Sequence, residues 1–125
     1  MAERIKLVQG DTRPQIVISL KTSAGTAIDC TASTVRMYFR AEGSTTLLQT
    51  IVGTLLTGFV NDDGSITTSA PYNVVGAGGR ASFSWPVGAL NVDAGNYEGE
   101  IEITYSDQSI QTVYDLIKFK VRADF

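Results

Sequence analysis

Histidine is absent from all 125 residues, so the side chain that most often serves as general base, and the commonest metal ligand, is unavailable. Ser-His-Asp and Cys-His arrangements are excluded with it. Cysteine is nearly absent too: the single Cys30 forms no internal disulfide, and its neighbours Ile28, Asp29 and Thr31 offer neither a second thiol nor an imidazole. It reads as a small apolar filler. No apolar run reaches the roughly 18 residues of a membrane-spanning segment. The start, Met1-Ala2-Glu3-Arg4, lacks the apolar stretch of a signal peptide, so synthesis in the cytoplasm of the producing cell is expected. Charge of one sign is lacking as well. The 10 basic and 13 acidic residues are interspersed, giving a net charge of -3 and no basic field to attract a polyanion. Neither nucleic acid nor a membrane is expected as a partner.

What is present points to strands. The chain has the length of one domain, spanning residues 1–125, and its 43% hydrophobic content is enough for one core. Only 18% of residues are charged, and 12 glycines stand against 3 prolines, which suits a β-rich chain with many turns. Alternation with period two recurs along the whole sequence. Ile5 and Leu7 alternate with Arg4 and Lys6 before Gly10-Asp11-Thr12-Arg13-Pro14 breaks the strand. Ile16, Ile18 and Leu20 share a face, as do Val35, Met37 and Phe39 within 34–41. Ala81, Phe83 and Trp85 point inward, and Pro86 ends that run. The longest pair closes the chain. Tyr97, Gly99, Ile101, Ile103 and Tyr105 face one way and Glu98, Glu100 and Glu102 the other. After a turn at 106–109, a single strand over 110–123 is predicted, with Ile117, Phe119 and Val121 inward and Lys118, Lys120 and Arg122 outward. The acidic and basic rows are expected to face each other across this hairpin, with Arg36 and Arg40 flanking the acidic row from its other side.

Between Thr45 and Val60 the pattern is ambiguous. Leu48, Ile51, Val52, Leu55, Leu56 and Phe59 fit the i, i+3, i+4 spacing of a helix as well as short strands. Gly53, Gly58 and the threonines of this stretch are poor helix formers and favour strands. The stretch holds more apolar residues than one half-buried strand requires. Leu47, Leu48, Ile51, Val52, Leu55, Leu56 and Phe59 are therefore the candidate protein-protein interface, with ordinary core strands as the other reading. About seven to nine short strands without helical punctuation predict an all-β fold, a sandwich rather than an α/β arrangement.

Few residues could carry chemistry. Asp62 and Asp63 sit in a glycine turn, and the glutamate row lies beside basic residues that hold it ionised. Oxygen ligands at Asn61, Asp62, Asp63 and Ser65 could wrap a calcium ion, but an ordinary hairpin turn is the favoured reading. Gly76-Ala77-Gly78-Gly79 lacks the helix and the Lys-Ser/Thr pair of a phosphate loop, and reads as a flexible connection. Tyr38, Tyr72 and Tyr114 are the surface aromatics available to a glycan, because Trp85, Tyr97 and Tyr105 lie on inward positions. No catalytic residue, metal or cofactor is assigned.

One motif is more specific. Asp93-Ala94-Gly95-Asn96-Tyr97 resembles the Asp-x-Gly-x-Tyr sequence that leads into strand F of immunoglobulin domains, which implies that Tyr97 is a corner tyrosine. The cysteine of those domains is replaced by Gly99, so the resemblance implies an immunoglobulin-like β-sandwich without the inter-sheet disulfide.

Four further stretches resemble the small β domains of tailed-phage virions, notably the N-terminal domain of the siphophage baseplate upper protein. They are Val8 to Pro14 leading into the Ile16-Ile18-Leu20 strand, Gly25-Thr26-Ala27-Ile28-Asp29 before Thr34-Val35-Arg36-Met37, the Ala81-Phe83-Trp85 strand, and Gly95 to Glu100. The resemblance implies a non-enzymatic structural protein of the virion, a baseplate or tail connector or fibre-attachment component. Its partners would be other virion proteins of tail, baseplate or head, together with copies of itself in a homo-oligomer. A capsid decoration protein, or a carbohydrate-binding or adhesion module of immunoglobulin type, is the alternative.

Overall fold

The structure is a computed structural model and describes residues 4–125. The reading made of Met1, Ala2 and Glu3 lies outside these residues. Among the described residues there is no helix, and eleven strands form two main sheets and a small hairpin. The strands are β1 (Ile5–Val8), β2 (Ile16–Ser19), β3 (Thr34–Ala41), β4 (Leu47–Val52), β5 (Thr54–Leu55), β6 (Phe59–Val60), β7 (Ile66–Thr67), β8 (Arg80–Phe83), β9 (Gly95–Thr104), β10 (Ile110–Thr112) and β11 (Ile117–Arg122). The count exceeds seven to nine because three pieces have only two residues and the last predicted strand is divided.

The larger sheet has the order β1-β11-β9-β3-β4, with β10 continuing the pairing along the end of β9. All its pairs are antiparallel except β1 with β11, which run parallel. The smaller sheet has the order β2-β8-β5. Both sheets contribute to one core. Val35, Met37 and Phe39 from β3, Ile101 and Ile103 from β9, and Phe119 and Val121 from β11 meet Ile16, Ala81 and Phe83 of the smaller sheet. This is consistent with a β-sandwich. Trp85 links the layers, its ring lying edge-on to Phe39 at 5.0 Å and to Phe119 at 5.4 Å. Its indole N–H donates to the Pro14 carbonyl at 3.1 Å, so burying the ring leaves no polar group unpaired.

Two irregularities depart from simple alternation. In β4, Gln49 pairs with Phe39 and Leu47 with Arg40, so Leu48 is an extra residue that bulges the strand. In the last segment, Thr112 pairs with Glu102 and Ile117 with Gly99, so four residues, 113–116, face two on β9. The single strand expected over 110–123 is therefore broken, and Tyr114 stands out at the break, 96% exposed.

The 45–60 stretch is built of strands, as its glycines favoured. β4 ends the larger sheet, and the chain then crosses at Gly53 to β5 in the smaller one. A Cβ at Gly53 would lie 2.7 Å from the Phe83 ring, so the crossing needs glycine. The Gly76–Gly79 segment is packed rather than open. Gly76, Gly78 and Gly79 are buried, and the backbones of Gly76 and Gly79 bond to Leu20, Cys30 and Leu56. A local absence of side chains served here for close backbone packing, which composition alone does not distinguish from a flexible loop.

Candidate protein-docking surface

The seven residues singled out between Leu47 and Phe59 divide into four environments. Leu47, Leu48 and Val52 lie on β4, the outermost strand of the larger sheet, and are 50%, 42% and 61% exposed. Ile51 points the other way, into the core. Leu55 and Leu56 are half-buried where the chain joins the smaller sheet. Phe59 belongs to the β6–β7 hairpin, where it stacks on Tyr72 at 5.0 Å under the Lys21 ammonium. Of the seven, those that stand exposed thus lie together on β4, while Val17, Ile66, Val74, Val75, Val87 and Ile110 are exposed elsewhere on the chain.

Next to that edge lies the outer face of the larger sheet. Arg36, Tyr38 and Arg40 on β3 pair in register with Glu102, Glu100 and Glu98 on β9. Lys118 on β11 pairs with Glu98 from the other side. The expected flanking of the acidic row by Arg36 and Arg40 therefore holds, whereas Lys120 falls opposite Asn96. Glu98 accepts from Arg40 Nε and from Lys118 Nζ, each at 2.9 Å, and is only 5% exposed although it is on the outer face. The Lys118 and Arg40 bonds hold its carboxyl below the usual range, against the opposing effect of desolvation. Glu42 extends the network, pairing with Arg4 and lying 3.7 Å from Lys118. Sequence separation concealed this last link, since Arg4 and Glu42 meet only once β1 is placed beside β11.

The three surface tyrosines do not form one platform. The Tyr38 hydroxyl donates to Glu102 at 3.0 Å, Tyr72 is stacked on Phe59, and Tyr114 projects alone. Burial, with Glu102 nearby, raises the Tyr38 pKa. Tyr97 is buried, and its hydroxyl donates to the Asp93 carbonyl, four residues back across the corner before β9. Burial and the neighbouring Asp93 raise its pKa. Its ring stacks on Phe39 at 5.2 Å.

The Asn61–Ser65 turn uses its own oxygens. Asp63 Oδ1 accepts from the Ser65 N–H at 2.9 Å and from its hydroxyl at 2.6 Å, and the Asn61 amide donates to Thr67 Oγ1 at 2.8 Å. The same arrangement recurs where Asp29 accepts from Thr31 and Asp107 from Ser109. In all three the serine or threonine bond is the main cause of a lowered carboxyl pKa. An Asp followed two residues later by Ser or Thr is a turn signal that the sequence itself carries, here three times. Among the described residues, no group of three or more His, Cys, Asp or Glu side chains is placed to hold a metal. Cys30 is fully buried, and burial, with Asp29 nearby, pushes its thiol up to about 11.

The surface therefore combines an apolar strand edge with an adjoining face of paired opposite charges. Compared with models of known protein families the chain matches none, and a comparison with curated proteins finds no significant match.

Proposed function

We propose that this chain is a non-enzymatic structural domain of a tailed-phage virion, an immunoglobulin-like sandwich that works by docking to neighbouring protein chains. The strand orders support the immunoglobulin-like part. Reading β2-β8-β5 as strands B-E-D and β11-β9-β3-β4 as G-F-C-C′ gives neighbours in the order expected for part of each sheet of a variable-type domain. The bond from the Tyr97 hydroxyl to Asp93 has the form of a tyrosine corner. In this lettering β1 lies beside strand G rather than beside B. The virion part rests on the resemblance of the four sequence stretches, and implies assembly in the host cytoplasm into baseplate, tail or head.

The observation that carries docking is the edge of β4, where Leu47, Leu48 and Val52 stand exposed on a strand with one side unpaired among the described residues. Exposed apolar edges invite pairing unless another chain covers them. The test is the native mass of the purified protein over a range of concentrations, for the unmodified chain and for Leu48→Lys. A discrete closed oligomer that Leu48→Lys dissolves is the expected result. A strict monomer that binds a glycan on an array, and loses it when Tyr38, Tyr72 and Tyr114 become alanine, overturns the proposal in favour of a carbohydrate-binding module.

A further inference from the structure

The outer face of the larger sheet carries both signs of charge in an ordered pattern. On β3 the row is Arg36, Tyr38, Arg40; on the adjacent β9 it is Glu102, Glu100, Glu98, at matching levels. Part of this charge is spent within the chain. Glu98 is held by Arg40 Nε and Lys118, and Glu102 accepts from Tyr38. Arg36 donates to Thr104 Oγ1 at 3.2 Å and forms no ion pair among the described residues. Glu100 has no hydrogen-bond partner there, and the two terminal nitrogens of Arg40 are likewise uncommitted. Beside them, Tyr38, Arg40, Thr45, Leu47 and Glu100 line a recess of about 250 Å³.

We propose that two copies of this chain pack these outer faces together about a two-fold axis running along the strands, between β3 and β9. This rests on the reading of the chain as a docking domain and names both its partner and the surface it uses. The argument is charge complementarity. A two-fold axis so placed lays the basic row of each copy over the acidic row of the other, at the same levels as within the chain. Glu100 of one copy then falls on Tyr38 of the second copy, between the second copy's Arg36 and Arg40. A partner with charge of one sign would meet repulsion from one of the two rows, whereas a second copy meets attraction from both. The neighbouring strands follow the same rule. Leu47 is level with Lys118, so it would meet the aliphatic stem of the second copy's Lys118, and Val52 is level with Thr112.

Sedimentation equilibrium of the unmodified chain and of Glu100→Arg tests this. Glu100 is chosen because it bonds to nothing in its own chain among the described residues, and a thermal melt checks that the variant folds. The unmodified chain should associate as a dimer or a multiple of one. That association should weaken about tenfold or more on adding salt, a readout that needs no variant. Glu100→Arg, placing a third cation between two arginines, should weaken it by a similar factor. A chain monomeric up to about 1 mM overturns the proposal. So does an oligomer indifferent to both salt and Glu100→Arg; if Leu48→Lys dissolves that same oligomer, the docking role of the β4 edge stands without the facing sheets.

Discussion

Glu98 and Arg40 face each other across β9 and β3, with Oε1 accepting from Nε at 2.9 Å, while the other carboxylate oxygen is taken by Lys118. One nearly buried anion thereby ties three adjacent strands of the larger sheet. Glu98→Gln should cost about 1–3 kcal/mol, because it leaves two cations facing a neutral amide. Urea unfolding of the two proteins at neutral pH measures the difference.

The same carboxylate sets an acid limit. Its folded-state pKa lies below the ordinary 4.5, so ionisation favours the folded state. The contribution is whole above pH 4.5 and is lost as the pH falls through the lowered value. Asp29, lowered by its bonds from Thr31, acts in the same direction. Stability should fall on acidification below that range, and fall less steeply for Glu98→Gln than for the unmodified chain, when urea midpoints are followed from pH 7 to pH 3.

Tyr97→Phe removes the hydroxyl that bonds to the Asp93 carbonyl and leaves the ring in place against Phe39. A loss of about 1–2 kcal/mol is expected, read by thermal or chemical unfolding. A change within experimental error would show that the corner bond contributes nothing to stability.

Gly78→Ala should destabilise far more than Gly25→Ala. A Cβ at Gly78 would lie 1.8 Å from the Gly58 carbonyl oxygen, whereas the space around Gly25 is open and its φ of +85° is the main obstacle. About 1 kcal/mol is expected at Gly25 and more than about 2 kcal/mol at Gly78. Melting temperatures of the two variants decide it.

Cys30 should not react with an aromatic disulfide reagent at pH 8 while the chain is folded, and should react fully in denaturant, because it is buried and its thiol is pushed up to about 11. Its contribution to stability is present below pH 9.0, the ordinary value, and is lost as the pH rises through about 11.

The strands were legible wherever one face is buried and the other wet. Val35, Met37 and Phe39, or Tyr97, Ile101 and Ile103, announce their faces by alternation alone. The breaks at Leu48 and 113–116 were not legible, because a bulge is decided by what the neighbouring strand presents and leaves the local pattern plausible in either register. Nor was the packing of Gly76–Gly79, where the missing side chains make room for the backbones of Gly58, Leu20 and Cys30. For the proposed docking surface, the apolar excess of Leu47–Phe59 was visible, yet its division into edge, core, sheet junction and hairpin depends on the crossing at Gly53. Glu98 appeared as one of three equivalent outward acids. Only the pairing of β9 with both β3 and β11 sets it apart.

The parallel pairing of β1 with β11 has a mechanical meaning. Ile5 is level with Phe119 and Val8 with Arg122, so the chain enters this pair at one end and leaves it at the other. Tension applied through the two ends of the domain pulls β1 and β11 in opposite directions along their length. The ladder hydrogen bonds between them are then loaded together, in shear, instead of being peeled one at a time. A domain strung in a line of force would resist extension at this seam before its core was disturbed.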